Sequence, residues 1–375
     1  MYLDHAATTP LRPEAAAAMQ TAHETLGGNA SGTHTVARNA KNALEQAREQ
    51  IAAAIGADRP DEVIFTGGGT EADNLAIVGA ALATDSTGVV VSAIEHKAVL
   101  EPAESLRRFG KQVSVVPPTQ SGVVDPATVA SHVSSDTGVV SIMTANNETG
   151  ISQPVEVIAL SVAEAAPDAV VHTDAVQAIV GADVSVSTLG IDLMTIAAHK
   201  FGGPKGVGAL YARSGTSLEA LIRGGGHEAG RRSGTSNVAG VVGMAAALES
   251  LGRERDSFAS MVGTERQHFE TALEEQCGAE ITGIDVERLT QFAHMRIPGV
   301  NAESLLIRLD REGVYAAAGS SCQSGAIEPS HVLTAMRMTP DKAKECVRFT
   351  FGWTTAGGDG MRAADAVTSV VEQMR

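Results

Sequence analysis

The sequence predicts an α/β protein with a large, mostly parallel sheet and a smaller α+β domain beside it. Two observations carry this. Between residues 62 and 212, short apolar β-branched runs alternate with alanine-rich helical stretches, the pattern of a parallel sheet covered on both faces. After "LIRGGGHEAGRRSGTSN" the alternation stops, and a long helical region leads into a different pattern. A chain of 375 residues is long enough for two domains.

The elements follow in order. Residues 34 to 55, "HTVARNAKNALEQAREQIAAAI", read as a long helix leading into the sheet. Strands are expected in "EVIFT", "GVVVS", "QVSVVP", "GVVSIM", "AVVHTD", "IDLMTIA" and "GVGALYA", with the amphipathic "PVEVIALSVAEAA" between the fourth and fifth. A helical connector is expected from roughly 237 to 276. Beyond it come "FAHMRIP", a helix in "AESLLIRLDREG", and "ECVRFTFGW".

Asp and Glu exceed Lys and Arg by 44 to 28, a net charge of −16, which opposes nonspecific binding to DNA, RNA or anionic membrane. Cys277, Cys322 and Cys346 make no even disulfide framework, and no C-x-x-C spacing suggests zinc. The opening "MYLDHAATTP" lacks a basic-then-apolar leader, and no apolar run approaches the ~20 residues of a membrane span. A cytoplasmic, reducing location is therefore expected.

Four stretches bear on chemistry. In "EVIFTGGGTEADN" a strand runs into Gly67-Gly68-Gly69-Thr70 and then a helix, which reads either as a phosphate cradle or as a plain strand-to-helix turn. It matches neither the dinucleotide fingerprint nor the P-loop. In "AVVHTDAVQ", Asp174 ends an apolar strand, as a helix N-cap or as a carboxylate needing a partner, with Gln177 three residues on. His172 shares that strand face, but no third metal ligand lies near in sequence. In "MTIAAHKFGGPKG", Lys200 follows His199 at a strand end, where a partly desolvated amine has a lowered pKa and can react with an aldehyde. Asp174 and Lys200 are one strand-crossover-strand unit apart, so both could reach one ligand at the sheet's carboxyl edge. A phosphate cradle, a carboxylate for a ring nitrogen and a lysine for an aldehyde together suit pyridoxal phosphate. Cys322, in "GSSCQSG", sits among small residues and is expected to be exposed, as a nucleophile or an oxidation liability.

From "YLDHAATTP" through "GGTEADN", "EHKAVL", "NNETG", "HTDAVQ" and "HKFGGPKGVGALY" to "GGGHEAGRRSGT" and "GSSCQSG…EPSHVL", the chain resembles the cysteine desulfurases, pyridoxal-phosphate enzymes of the class V aminotransferase superfamily. The resemblance implies fold type I with a seven-stranded sheet, a large domain over 12–251, and a small domain from 1–11 and 252–375 that carries the cysteine loop. Lys200 would hold the cofactor's aldehyde, Asp174 would pair with the pyridinium nitrogen, and Gln177 would donate to the phenolic oxygen. His96 would stack on the ring and act in proton transfer. Gly69, Thr70 and His199 would bind the phosphate, with Thr235 supplied by the other subunit of a homodimer. Asn147 and Arg348 would hold the substrate α-carboxylate, and the Cys322 thiolate would take sulfur from L-cysteine as a persulfide, releasing alanine. The persulfide would pass to a sulfur-acceptor protein, for iron–sulfur cluster assembly or thiolation.

The chain departs from the family pattern in three places. Ala197 and Ala198 stand where the family usually has serine and glycine, "GNASGTH" replaces G-N-P-S-S-x-H, and "GSSC" replaces "GSAC". The rival readings are a selenocysteine lyase or another class V transferase, a non-catalytic sulfur carrier using Cys322 alone, and a nucleotide-binding oxidoreductase.

Overall fold

A computed structural model describes residues 1–319 and 330–375. All seven expected strands form one sheet: β1 (Val63–Thr66), β2 (Gly88–Ser92), β3 (Gln112–Val116), β4 (Thr137–Ser141), β5 (Val170–Asp174), β6 (Leu193–Ala197) and β7 (Gly208–Ala212). They lie in the order β1-β7-β6-β5-β4-β2-β3. β7 pairs antiparallel with both β1 and β6, while the β6-β5-β4-β2-β3 pairs are all parallel. β7 alone therefore runs against the other six, and the carboxyl ends of β1, β2, β4, β5 and β6 share one edge. The central strands are buried on both faces, with Leu193–Ala197 and Thr137–Ser141 covered along their whole length, as a sheet sandwiched between helices requires.

The helix expected from residue 34 runs from Thr35 to Ile55. His34 caps it by accepting from Ala37 N, and it ends at Gly56 in the left-handed conformation. The connector is a 40-residue helix, Val238–Cys277, capped by Asn237 and stopped by Gly278. Its first half buries Val241, Met244, Leu248 and Leu251 in the core beside the large sheet. Its second half buries Phe258, Val262, Phe269 and Leu273 in a separate core. That second core also holds β9 (Phe292–Arg296) and β10 (Cys346–Thr350), which pair antiparallel and with β8 (Glu280–Ile281) make a three-stranded sheet. There Phe269 meets Phe349 edge-on at 4.8 Å and Phe351 at 5.7 Å, geometry that adds to simple burial.

Two of the longer helices stand outside the sequence-based expectation, Pro13–Thr25 and Asp359–Met374. Residues 1 to 12 form no helix or long strand. They cross between the two sheets, bridging Tyr2 to Tyr315 and Asp4 to Thr350 before Thr9 N donates to His199 O at 3.1 Å.

Candidate active site

At the shared carboxyl edge a cavity of about 440 Å3 opens between the large sheet and the 1–12 segment, within the range of small-ligand sites. Each strand end delivers a residue to it. Asp174 is the last residue of β5, and Lys200 stands three residues beyond the end of β6. His96 follows β2 and caps the helix Lys97–Ser105 by accepting from Ala98 N at 3.1 Å. Asn147 lies on the loop after β4, and Gly69 and Thr70 follow β1. All of these line the cavity, as do Gln177, His199 and Arg348. One cavity thus unites nine of the eleven candidate residues. Thr235 is exposed and lines neither this cavity nor the larger one of about 760 Å3 that adjoins it at Gly69, Thr70 and His199. Cys322 lies outside the described residues; Gly319, three residues before it, is on the cavity wall.

Lys200 is held at the strand end by its neighbours. Lys200 Nζ donates to the backbone carbonyls of Ala6 (2.6 Å) and Ala7 (3.0 Å). Burial lowers its pKa to about 8, with the Arg348 guanidinium pushing the same way and the Asp174 and Asp4 carboxylates opposing. Asp174 is buried, its Oδ1 accepts from Val176 N at 2.9 Å, and burial raises its pKa against the pull of His96 and Lys200. The carboxylate thus caps its own turn and also faces the cavity, so the two readings of Asp174 coexist. Burial lowers His96, and it lowers His199 to about 4, where Lys200 and Lys205 add to the effect. Both imidazoles are neutral near pH 7.

The phosphate-cradle reading has a local basis. Gly68 sits at φ +145, a conformation that strains any other residue. From Gly69 the chain is continuously helical through Gly69–Asn74, a π turn at Leu75–Gly79, and Ala80–Leu82, so its first N–H groups have no helical acceptors. A Cβ on Gly208 of β7 would lie 2.7 Å from the Gly68 carbonyl carbon, so a bare strand lets the turn settle onto the sheet. Ala197, where a hydroxyl is usual, lines the cavity directly beneath Gly69, whose own Cβ would sit 3.4 Å from the alanine methyl.

Opposite the lysine, Arg348 Nη1 donates to Asn147 O at 2.7 Å and Nη2 to Asp4 Oδ1 at 2.8 Å. The fork is fixed in plane, and its Nε is buried without a hydrogen-bond partner among the described residues, as is Asn147 Oδ1. Gln177 Nε2 donates to Ala6 O at 2.9 Å. His172 Nδ1 lies 2.8 Å from Ser141 Oγ and its Nε2 3.1 Å from Thr195 Oγ1.

Sequence reasoning missed Asp4, the Ala6 and Ala7 carbonyls, and Asp73. Asp73 lies one turn after the glycine-rich turn, but a carboxylate in an amphipathic stretch reads as solvated, and its burial shows only in the fold. The backbone carbonyls leave no mark on the sequence.

A lysine, a carboxylate and a helix start around one pocket at the carboxyl edge of a largely parallel sheet define a cofactor-dependent transferase of the aldehyde-capturing kind. The class-V aminotransferase family model matches residues 1–358, and the chain belongs to that family. Among curated relatives, a cysteine desulfurase IscS of Dictyoglomus turgidum is 41% identical over 378 residues, covering 100% of this chain and 95% of that one. Among solved structures, a NifS-like protein superposes with a TM-score of 0.90 at 32% identity, covering 100% of this chain and 98% of its own. SspA in complex with cysteine superposes at 0.83, also 32% identical, over 93% of this chain and 98% of its own.

The family's cofactor is pyridoxal phosphate. The donor set fits it. A low-pKa amine is available for an aldehyde, a carboxylate for a ring nitrogen and an open helix start for a phosphate, and buried Asn147 Oδ1 and Arg348 Nε have no hydrogen-bond partner among the described residues.

Proposed function

We propose that this chain is a cysteine desulfurase, converting L-cysteine to L-alanine and leaving the sulfur as a persulfide on Cys322. The observation that carries the reading is the single cavity where Lys200, Asp174, His96 and Arg348 meet. When bound, pyridoxal phosphate supplies an electron sink that weakens the bonds at the substrate's Cα and Cβ. The chain's own residues do the rest. Asp174 would hold a proton at the ring nitrogen, Gln177 would donate to the phenolic oxygen, and neutral His96 would lie against the ring and move a proton. Gly69, Thr70 and His199 hold the phosphate, joined by Thr235 of a second copy, so the working unit is a homodimer.

Arg348 and Asn147 orient the substrate by its carboxylate; the guanidinium suits this because its fork is already set by Asp4 and the Asn147 carbonyl. Lys200, with its amine free, would take the substrate's Cα proton. A lysine with its pKa lowered to about 8 is poised for that exchange near neutral pH. The Cys322 thiolate then attacks the substrate sulfur: an S–S bond forms, the Cβ–S bond breaks with its electron pair passing to carbon, and proton uptake at carbon completes alanine. The sum is thiol plus cysteine giving persulfide plus alanine.

We further propose a sulfur-acceptor protein as the persulfide's destination, in iron–sulfur cluster assembly or thiolation, and a cytoplasmic location. Among the described residues, no helix is long and apolar enough to cross a membrane. The division at 12–251 against 1–11 and 252–375 is proposed as two domains, with Leu251 and Phe258 belonging to different cores.

Borohydride trapping tests the reading. Reduction of the cofactor-loaded protein should fix the cofactor's mass on the peptide containing Lys200. Its appearance on another lysine, or a protein that stays colourless with added cofactor, overturns the assignment.

A further inference from the structure

Asp73 lies one helical turn past the glycine-rich turn and lines the same cavity as Asp174, Thr70 and Gln177. It is 2% exposed, and its Oδ1 has no hydrogen-bond partner among the described residues. The nearest nitrogen that could carry a charge is His172 Nε2, 3.7 Å away on β5. That ring is fully buried with its pKa lowered to about 3, and it contacts the Ser141 and Thr195 hydroxyls, so it is a neutral neighbour. The titratable groups that act on Asp73 are both acids, Asp174 on β5 and Glu95 after β2; from β6 only the Thr195 hydroxyl favours the charged form. Burial first, then Asp174, hold its carboxyl well above the usual range. Two buried carboxyls lining one cavity cannot both ionise without compensation.

We propose that Asp73 is a second acid of the cofactor cavity, a positioning residue that keeps its proton so that Asp174 alone presents a negative charge to the ring nitrogen. The proposal rests on the reading of Asp174 given above. It makes the division of labour between the two acids a matter of surroundings: Asp174 is the one drawn down by His96, Lys200 and the Val176 amide, and Asp73 has none of these.

Asp73→Asn exchanges one neutral group for another of the same shape. The variant should bind pyridoxal phosphate within about twofold of the parent, and the colour of the bound cofactor should titrate at the same pH. Asp73→Leu removes the hydrogen-bonding group and should loosen the cofactor about tenfold. A shift of one pH unit or more in the Asp73→Asn titration would mean that a charge had been removed, overturning the proposal.

Infrared spectra of otherwise unmutated protein carrying isotope-labelled aspartate read the proton directly, with Asp174 in place, and need no cofactor. A protonated-carboxyl band at about pH 7, lost when Asp73 is changed to Asn, is expected; its absence refutes the proposal. Failure of the unmutated protein to bind cofactor would instead refute the reading of the cavity, leaving the infrared result to judge Asp73.

Discussion

The amine of Lys200 gives the sharpest quantitative prediction. Its pKa falls from the ordinary 10.5 to about 8, a depression worth ~3 kcal/mol at 1.36 kcal/mol per unit. At about pH 8 half of the amine is uncharged, against roughly 0.3% of an ordinary lysine. The side chain is therefore more than ~100-fold richer in its nucleophilic form. Capture of the aldehyde by apo protein, followed as colour development from about pH 6 to 10, should rise with pH and level off with a midpoint about 8. The main cause, burial, is not removable by one substitution, but the second is. Arg348→Gln takes away the cation that helps lower the pKa, so the midpoint should move upward and capture near neutral pH should slow. A midpoint near 10.5 in the parent, or a downward shift in the variant, would refute the electrostatic reasoning.

Three further outcomes follow. Lys200→Met should stabilise the apo protein below about pH 8, where the buried charge carries its full penalty of up to ~3 kcal/mol; the gap to the parent should close as pH rises from about 8 to 10.5, read by urea midpoints across that range. Glu95 is buried, with its pKa raised to about 8 from an ordinary 4.5, so the folded state binds more protons than the unfolded state in that window. Stability should therefore fall as pH rises from about 4.5 to 8, and Glu95→Gln should flatten the fall in pH-dependent denaturation curves. Ala197→Ser restores a hydroxyl beneath Gly69 and should tighten cofactor retention on dialysis by roughly tenfold or more, as one charge-assisted hydrogen bond allows; equal retention would show that the existing donors already satisfy the phosphate.

The large sheet was legible because each strand is a short apolar run closed by turn residues, and its core is buried on both faces. The reversal of β7 was not, since an apolar run carries no sign of its direction. The helix Pro13–Thr25 was hidden by its composition: the run "PEAAAAMQTAHET" buries only Ala15 and Ala22, too few for an apolar stripe to stand out. In the site, the residues with an unusual local setting were readable, Lys200 at a strand end and Gly69 in a glycine run. Asp73 and Glu95 were not, because a carboxylate in an amphipathic stretch looks solvated until the fold shows it 2% and 0% exposed. The lysine's own environment depends on Ala6 and Ala7, some 194 residues away and acting only through their carbonyls.

The proposed reaction has a thiol on Cys322 take the substrate's sulfur while the Lys200 cavity handles its carbon skeleton. It is tested most directly by incubating cofactor-loaded protein with L-cysteine and measuring alanine release alongside the mass of each cysteine peptide. Buried Cys346, its thiol pushed up to about 12, and buried Cys277 should stay unmodified. The extra sulfur should appear on the Cys322 peptide in step with alanine, and Cys322→Ser should keep the colour while losing both. Alanine release undiminished in that variant, or sulfur carried on Cys277 or Cys346 instead, would contradict the account.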